Sequence, residues 1–422
     1  MKHIFFIIST VIAFGFAGCG TKTANSESAE KKVSTESMEN TVNIGNTNGI
    51  FSIDLSKSYS HKKISLQSIA DIEYVALETS YDILLDESFR LSSLSDKYIV
   101  GWQSKTSEVF IFNRDGKFVS RINKFGQSGA EYTSNTNTLF DEKNEEVFVV
   151  ERSEIGRIQV YTLNGEYKRT LNYSKDFSDL WLYNFDDETL LIYVDDERSS
   201  MTKLFISTGG KTPIKFVEPE RPYMLMSKKD GVIVDELNIV VPERYALTFV
   251  GGGLLHLFRL PYNRYHGQDF VIADMSHDTI YQLSKSKELT PLFIRKPPVS
   301  SSDPLVVWSS MFITDKFSIL HRAIKNNSSA DAATAVSLDT LMHNLSTGEI
   351  NKVSFINDDY LSAKWNPTIG IQLHQTNVVA GLLQMPELSN AYKEKQLKGN
   401  LEKFIATLQE DDNQIVMIVK FK

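Results

Sequence analysis

Two arginines, two tyrosines and a histidine lie within eight residues of one another, as Arg259, Tyr262, Arg264, Tyr265 and His266. They close the stretch VPERYALTFVGGGLLHLFRLPYNRYH at 241–266. Arginine presents a fixed fork of donors that matches a carboxylate, and tyrosine offers a flat face to a sugar or peptide. At a channel mouth such a cluster would hold an anionic or glycan ligand without catalysis. The plainer alternative is an edge strand and loop with solvated charges. The neighbouring Gly251-Gly252-Gly253 run lets backbone approach closely. It lacks the Lys-Ser/Thr end of a phosphate loop, which excludes a nucleotide site of that kind.

Other reactive arrangements are sparse. Asp186-Asp187-Glu188 and Asp195-Asp196-Glu197 bracket an apolar run, Leu190–Val194. Paired carboxylates can bind a hard cation or flank a glycosidic bond. No twelve-residue calcium-loop spacing is present, and solvated loops are the simpler reading. The 8 histidines form no HExxH pair, so a zinc enzyme is not expected. No Gly-x-Ser-x-Gly elbow occurs. The sequence therefore assigns no catalytic residue, no metal and no cofactor. Trp102, Trp181, Trp308 and Trp365 read as packing residues.

Cys19 is the only cysteine of the chain. No intramolecular disulfide can form, even in an oxidising compartment. A polar start, Lys2-His3, precedes a largely apolar run of 14 residues, Ile4–Ala17. That run is short of the roughly 20 residues a membrane-spanning helix needs and fits a signal peptide. Phe16-Ala17-Gly18-Cys19 resembles a bacterial lipobox, in which small residues precede a cysteine that is acylated, palmitate included, and becomes the first mature residue. Residues 1–18 then read as a signal peptide and 19–50 as the lipidated cysteine with a tether. Gly20–Gly49 is rich in Ser, Thr, Asn, Glu and Lys and has too little apolar surface to offset ordering entropy. The resemblance implies a lipid anchor in the cell envelope, at the outer membrane of a Gram-negative bacterium.

The folded part reads from residue 51 to 422. The 422-residue chain is 41% hydrophobic and 23% charged, ordinary for a globular protein. Its net charge of −8 argues against a nucleic-acid partner. Its 25 Phe and 17 Tyr suit β structure. Val109–Phe112 and Phe118–Ile122 flank Asp115-Gly116, a pair suited to a type I′ hairpin turn. Asn164-Gly165 and Gly209-Gly210 repeat the device, 49 and 45 residues on. Four-stranded propeller blades recur at about 40–50 residues. The 372 residues from 51 to 422 divide into six blades of 62. Packing blades around an axis buries both faces of each sheet. This explains why Val109–Phe112 is apolar at successive positions. The expected fold is all-β, a six-bladed β-propeller. One short C-terminal helix, from the stripe Leu397, Leu401, Phe404, Ile405 and Leu408 within 391–408, precedes the closing strand. A pair of β-sandwiches is the alternative.

DIEYVALET at 71–79, KYIVGW at 97–102 and FNRDGKFVSRINKFGQSGAEY at 112–132 resemble the bacterial six-bladed β-propeller lipoproteins, relatives of the NHL-repeat propellers. Asp278-Thr279-Ile280-Tyr281 and Asp411-Asp412-Asn413 are similar to later blocks of that family. Gly126, Gly129, Glu131 and Tyr132 match its usual Gly-x-Gly-Pro-Gly-Glu-Tyr, with Ser128 and Ala130 departing from it. The resemblance implies a cell-envelope lipoprotein with no agreed chemistry. The expected function is a non-catalytic binding or scaffold propeller, monomeric, for an envelope protein, glycan or peptide. The alternative is a channel-mouth enzyme that cleaves glycans or opens lactones.

Overall fold

Short apolar strands joined by tight turns fold into antiparallel sheets that pack face to face around an axis. The computed structural model describes residues 49–422 except 152–155, 175–176, 178, 196–219, 242, 246, 252–253, 259–263, 267–268, 327–334, 361–371 and 374–376. Six sheets form a ring, a six-bladed β-propeller. From axis to rim, blade 1 holds Phe89–Leu94, Tyr98–Gln103, Val109–Asn113 and Phe118–Ile122, with the two-residue strand Gln372–Leu373 paired parallel to the inner edge of Phe89–Leu94. Blade 2 holds Asn137–Asp141, Glu146–Glu151, Arg157–Thr162 and Tyr167–Asn172. Blade 3 holds Asp179–Asn184, Thr189–Asp195, Tyr223–Ser227 and Ile233–Glu236. Blade 4 holds Arg264–His266, Asp269–Ile272, Thr279–Leu283 and Leu289–Lys296. Blade 5 holds Val306–Ile313, Phe317–Lys325, Val336–Asn344 and Ile350–Ile356. In blade 6, Val378–Leu383 and Ile415–Phe421 are joined by a strand from the start of the chain.

The hydrophobic core is a ring of layers between blades. Val109 and Ile111 pack toward blade 2 with Phe140, Val147 and Tyr161. Phe110 and Phe112 pack the other way, with Val416, Ile418 and Phe421 of blade 6. All four side chains of Val109–Phe112 are buried, which is why the run does not alternate.

The N-terminal strands form a belt. We name them β1 (Phe51–Asp54), β2 (His61–Ser65) and β3 (Ala70–Ala76). β1 pairs parallel to Leu289–Lys296 and adds a fifth strand to blade 4. β2 does the same to Ile350–Ile356 of blade 5. β3 pairs antiparallel to Ile415–Phe421 and is the rim strand of blade 6. The C-terminal strand is therefore clamped between Val378–Leu383 and β3, and closes the ring.

Three local details differ from the sequence reading. In the Asp115-Gly116 and Asn164-Gly165 turns only the glycine has positive φ, +82° and +80°. These are not type I′ turns, which need positive φ at both central residues. In the first, the Asn113 side chain accepts from the Asp115 and Lys117 amides and fixes the bend instead. Gly209-Gly210 lies outside the described residues. The glycine that closes the corresponding turn of blade 3 is Gly231, 66 residues after Gly165. Finally, 391–408 is not one helix. The insertion holds α1 (Met385–Lys393) and α2 (Gly399–Ile405). Lys395 and Gly399, at φ +57° and +60°, break the path between them. A Cβ on Gly399 would sit 2.2 Å from an Asp359 carboxylate oxygen.

Candidate functional site

Antiparallel blades sort their connections by face. Links between second and third strands leave on the same side as links between blades; the remaining turns leave on the other. Third-to-fourth connections are tight, at 114–117, 163–166, 228–232, 284–288 and 345–349. Second-to-third connections are longer, reaching 196–222 in blade 3 and 384–414, with both helices, in blade 6. One face is thus built of turns and the other of loops.

The loop face carries a cleft of about 280 Å³ at blade 3, lined by Glu220, Arg221, Met224, Glu236 and Val240. The chain leaving Ile233–Glu236 folds back beside the approach to Tyr223. The Leu237 amide donates to the Tyr223 carbonyl at 2.9 Å, and the Val241 amide to the Glu220 carbonyl at 2.7 Å. Met224 is buried and forms an apolar floor, while Glu220, Arg221 and Glu236 are exposed. Two carboxylates and a guanidinium around a thioether and a valine suit a small apolar group flanked by charge, such as a peptide segment. The sequence reading missed this site. Its only local signal is charge on either side of the apolar strand Tyr223–Met226, which also describes any solvated turn.

Beside blade 2 the loop face is braced from beneath. Gln159 donates to the Gly129 and Glu131 carbonyls at 3.2 and 2.9 Å, and the Tyr161 hydroxyl to the Ala130 carbonyl at 2.9 Å. Tyr132 is fully buried, with its hydroxyl 2.9 Å from the Ser107 carbonyl. Burial pushes its phenol up to about 12, and pushes Tyr161 up as well. Neither phenol is suited to give up a proton. The Ser128 amide holds the Glu131 carboxyl below its usual range. The Gly-x-x-Gly-x-Glu-Tyr block is thus a folded brace. Asn413 is another: its amide donates to the Glu78 and Ile83 carbonyls, and its oxygen accepts from Leu85.

The triplet Asp186-Asp187-Glu188 takes a structural place. Asp186 accepts from the Glu188 and Thr189 amides, and Asp187 pairs with Lys143 on the turn face. Asp195 ends strand Thr189–Asp195 on the loop face, and residues 196–197 lie outside the described residues. A seven-residue strand is about 20 Å long, too far for the triplets to flank one bond. Among the described residues no group of three or more His, Cys, Asp or Glu is placed to hold a metal.

The aromatic–cationic cluster is divided. Arg259 and Tyr262 lie outside the described residues, as does Cys19. Arg264, Tyr265 and His266 form the strand at the inner edge of blade 4, with backbone paired to Val271, Phe270 and Asp269. The Gly251-Gly252-Gly253 run joins the two strands of a hairpin, Leu247–Gly251 and Leu254–Phe258. Trp308 is buried and donates to the His277 carbonyl at 3.0 Å. Trp102 and Trp181 pack between blades, and Trp365 lies outside the described residues.

These features define a six-bladed β-propeller closed by a strand from its N-terminal belt. The chain belongs to the family described as Domain of unknown function (DUF4934), which matches residues 50–420. It is similar to a candidate exported protein of Bacteroides fragilis NCTC 9343, with a TM-score of 0.60 and 14% identity over 88% of this chain and 99% of that one. It also resembles a member of the DUF4221 family from Bacteroides vulgatus ATCC 8482, with a TM-score of 0.42, 9% identity, and 84% and 99% of the two chains covered. Virginiamycin B lyase from Staphylococcus aureus gives a TM-score of 0.38, 10% identity, and 84% and 100% coverage. At such identities the likeness concerns the fold alone. Comparison with curated protein sequences finds no match.

Proposed function

We propose that this protein is a lipid-anchored cell-envelope propeller that binds an envelope protein, glycan or peptide on its loop face, as a monomer and without catalysis of its own. In this reading residues 1–18 are removed, Cys19 carries the acyl chains at the outer membrane of a Gram-negative bacterium, and the family kinship is with propeller lipoproteins of NHL type. The likeness to a candidate exported protein agrees with that address. Several acyl chains on one residue would anchor the chain firmly, at about 0.8 kcal/mol per buried CH₂.

The observation that carries the reading is where the chain enters the fold. β1 lies on the outer edge of blade 4, so a tether from Cys19 joins at the rim and leaves both faces open. The loop face then offers the blade 3 cleft, with the Arg259–His266 cluster as a second contact. Cys19→Ala should move the protein out of the membrane fraction, and retention there would end the anchoring half. The binding half is tested by Glu220→Gln with Arg221→Ala and Glu236→Gln, alongside Arg259→Ala with Arg264→Ala, in peptide and glycan screens. One of the two folded variants should lose at least about tenfold in affinity for a ligand of the parent protein, since each charged hydrogen bond is worth roughly 1.5–3 kcal/mol. Parental binding by both would exclude these sites.

A further inference from the structure

The belt has a regular step. β1, β2 and β3 begin at residues 51, 61 and 70, ten and nine residues apart, and cover the rims of three consecutive blades. The rim strand of the preceding blade, Ile233–Glu236 of blade 3, ends its sheet with no strand beyond it among the described residues. Val232 and Val234 there are 57% and 51% exposed. The other free rims are defended differently. Phe118–Ile122 carries Arg121, paired with Glu108, and Tyr167–Asn172 carries Lys168 and Arg169, both paired with Glu146. Charged rim strands resist further pairing. The blade 3 rim has no basic residue: its charges are Asp235, paired with Lys287, and Glu236, and it presents Val234 with Val232 just before it.

One belt step back from β1 lands on Thr41-Val42-Asn43-Ile44. This is a β-branched, alternating tetrapeptide in an otherwise polar stretch, as long as β1 and as the blade 3 rim strand. Six residues, 45–50, would link it to β1, the same number as 55–60 between β1 and β2. We propose that Thr41–Ile44 docks parallel to Ile233–Glu236 as a fifth strand of blade 3, so that the belt embraces four blades. β1 and β2 both run parallel to the fourth strands of their own blades. The same rule sets the direction here. The rim supplies a main-chain edge with no strand partner among the described residues, its Glu236 amide meanwhile donating to the Asp235 carboxylate, and the uncharged tetrapeptide covers Val234. The proposal does not depend on acylation of Cys19.

The test uses the full mature chain with Val42→Asp and Ile44→Asp, compared with the parent by hydrogen exchange. Amides of 233–236 should exchange about tenfold faster in the variant, because an unpaired rim loses its protection. Amides of β1 and β2 should be unchanged, which shows that the fold is intact. In a Cys19→Ser background, single cysteines at 41–44 are then paired with Val234→Cys under mild oxidation. An intramolecular disulfide from one of these positions, and none from Ser34→Cys, is the expected result. Equal exchange in parent and variant would overturn the proposal, as would equal cross-linking from Ser34→Cys. A disulfide only between two chains would assign the rim to a second copy instead.

Discussion

Blades 4, 5 and 6 carry strands from the start of the chain and blade 1 takes Gln372–Leu373 onto its inner edge, whereas blades 2 and 3 are built in the described structure from consecutive segments. The two halves hold their rims by different means. In the belted half, Arg322 of blade 5 donates to Asp339 at 2.5 Å and to the Leu55 and Lys57 carbonyls at 3.0 and 2.6 Å. Its guanidinium lies 5.8 Å from the Tyr59 ring. One buried cation thus pins the segment between β1 and β2. In the other half the buried pairs stay within a blade or join neighbours. Arg169 grips Glu146 with two bonds, of 2.7 and 2.6 Å, and Lys228 of blade 3 reaches Asp141 of blade 2 at 2.6 Å. The difference teaches that closure of the ring is a long-range event, while the cohesion of blades 2 and 3 is local.

The largest way to break the contrast is to remove Ile415–Lys422. This takes the partner from β3 and from Val378–Leu383 together. Cooperative thermal unfolding should disappear, and an unchanged transition would refute closure by this strand. Next come Arg322→Ala and Arg169→Ala, each of which leaves its carboxylate with a lysine partner alone, Lys352 beside Asp339 and Lys168 beside Glu146. Both should destabilise by roughly 1.5–3 kcal/mol, the usual worth of a charged hydrogen bond. Only Arg322→Ala should make residues 55–60 more sensitive to limited proteolysis, because Arg322 binds the Leu55 and Lys57 carbonyls and Arg169 makes no bond to this segment. Equal cleavage in the two variants would remove the distinction.

A pH titration sharpens the comparison. His343 is 2% exposed, with its ring beside Phe51 of β1 and Phe293 of blade 4, at centroid distances of 4.6 and 5.8 Å. Burial lowers its pKa from 6.5 to about 4. The unfolded chain therefore takes up this proton first. Stability is full above pH about 6.5, falls as pH drops toward about 4, and levels off below that. The slope is at most about 1.4 kcal/mol per pH unit. His343→Phe should flatten that segment of the denaturation curve, and an unchanged slope would place the proton elsewhere.

The smallest effect separates two alike turns. Gly116 and Gly165 both close third-to-fourth turns at positive φ. Alanine at either costs about 1–2 kcal/mol of left-handed strain. At Gly116 the new Cβ would also lie 2.0 Å from the Ala76 carbonyl oxygen of β3, whereas at Gly165 the nearest atom is 3.5 Å away. Gly116→Ala should therefore lower the melting temperature more than Gly165→Ala. Equal shifts would mean that the belt yields freely at that contact.

Runs such as Val109–Phe112, apolar on every residue, dictate strands buried on both faces, and recurring turn residues dictate short antiparallel sheets. Those two local facts point to a propeller of short antiparallel sheets, because hydrophobic pattern and turn chemistry are properties of neighbouring residues; the count of six came from chain length, turn spacing and the resemblance. The turn type was not legible, since Asn113 replaces the second positive φ with a side-chain bond. The break between α1 and α2 was equally hidden, because it depends on Asp359 approaching Gly399. The belt and the blade 3 cleft were decided by tertiary structure alone. β1 and Phe293 come from distant parts of the chain, and Glu220 and Glu236 meet only once the two outer strands of blade 3 have paired; no local periodicity encodes either partner.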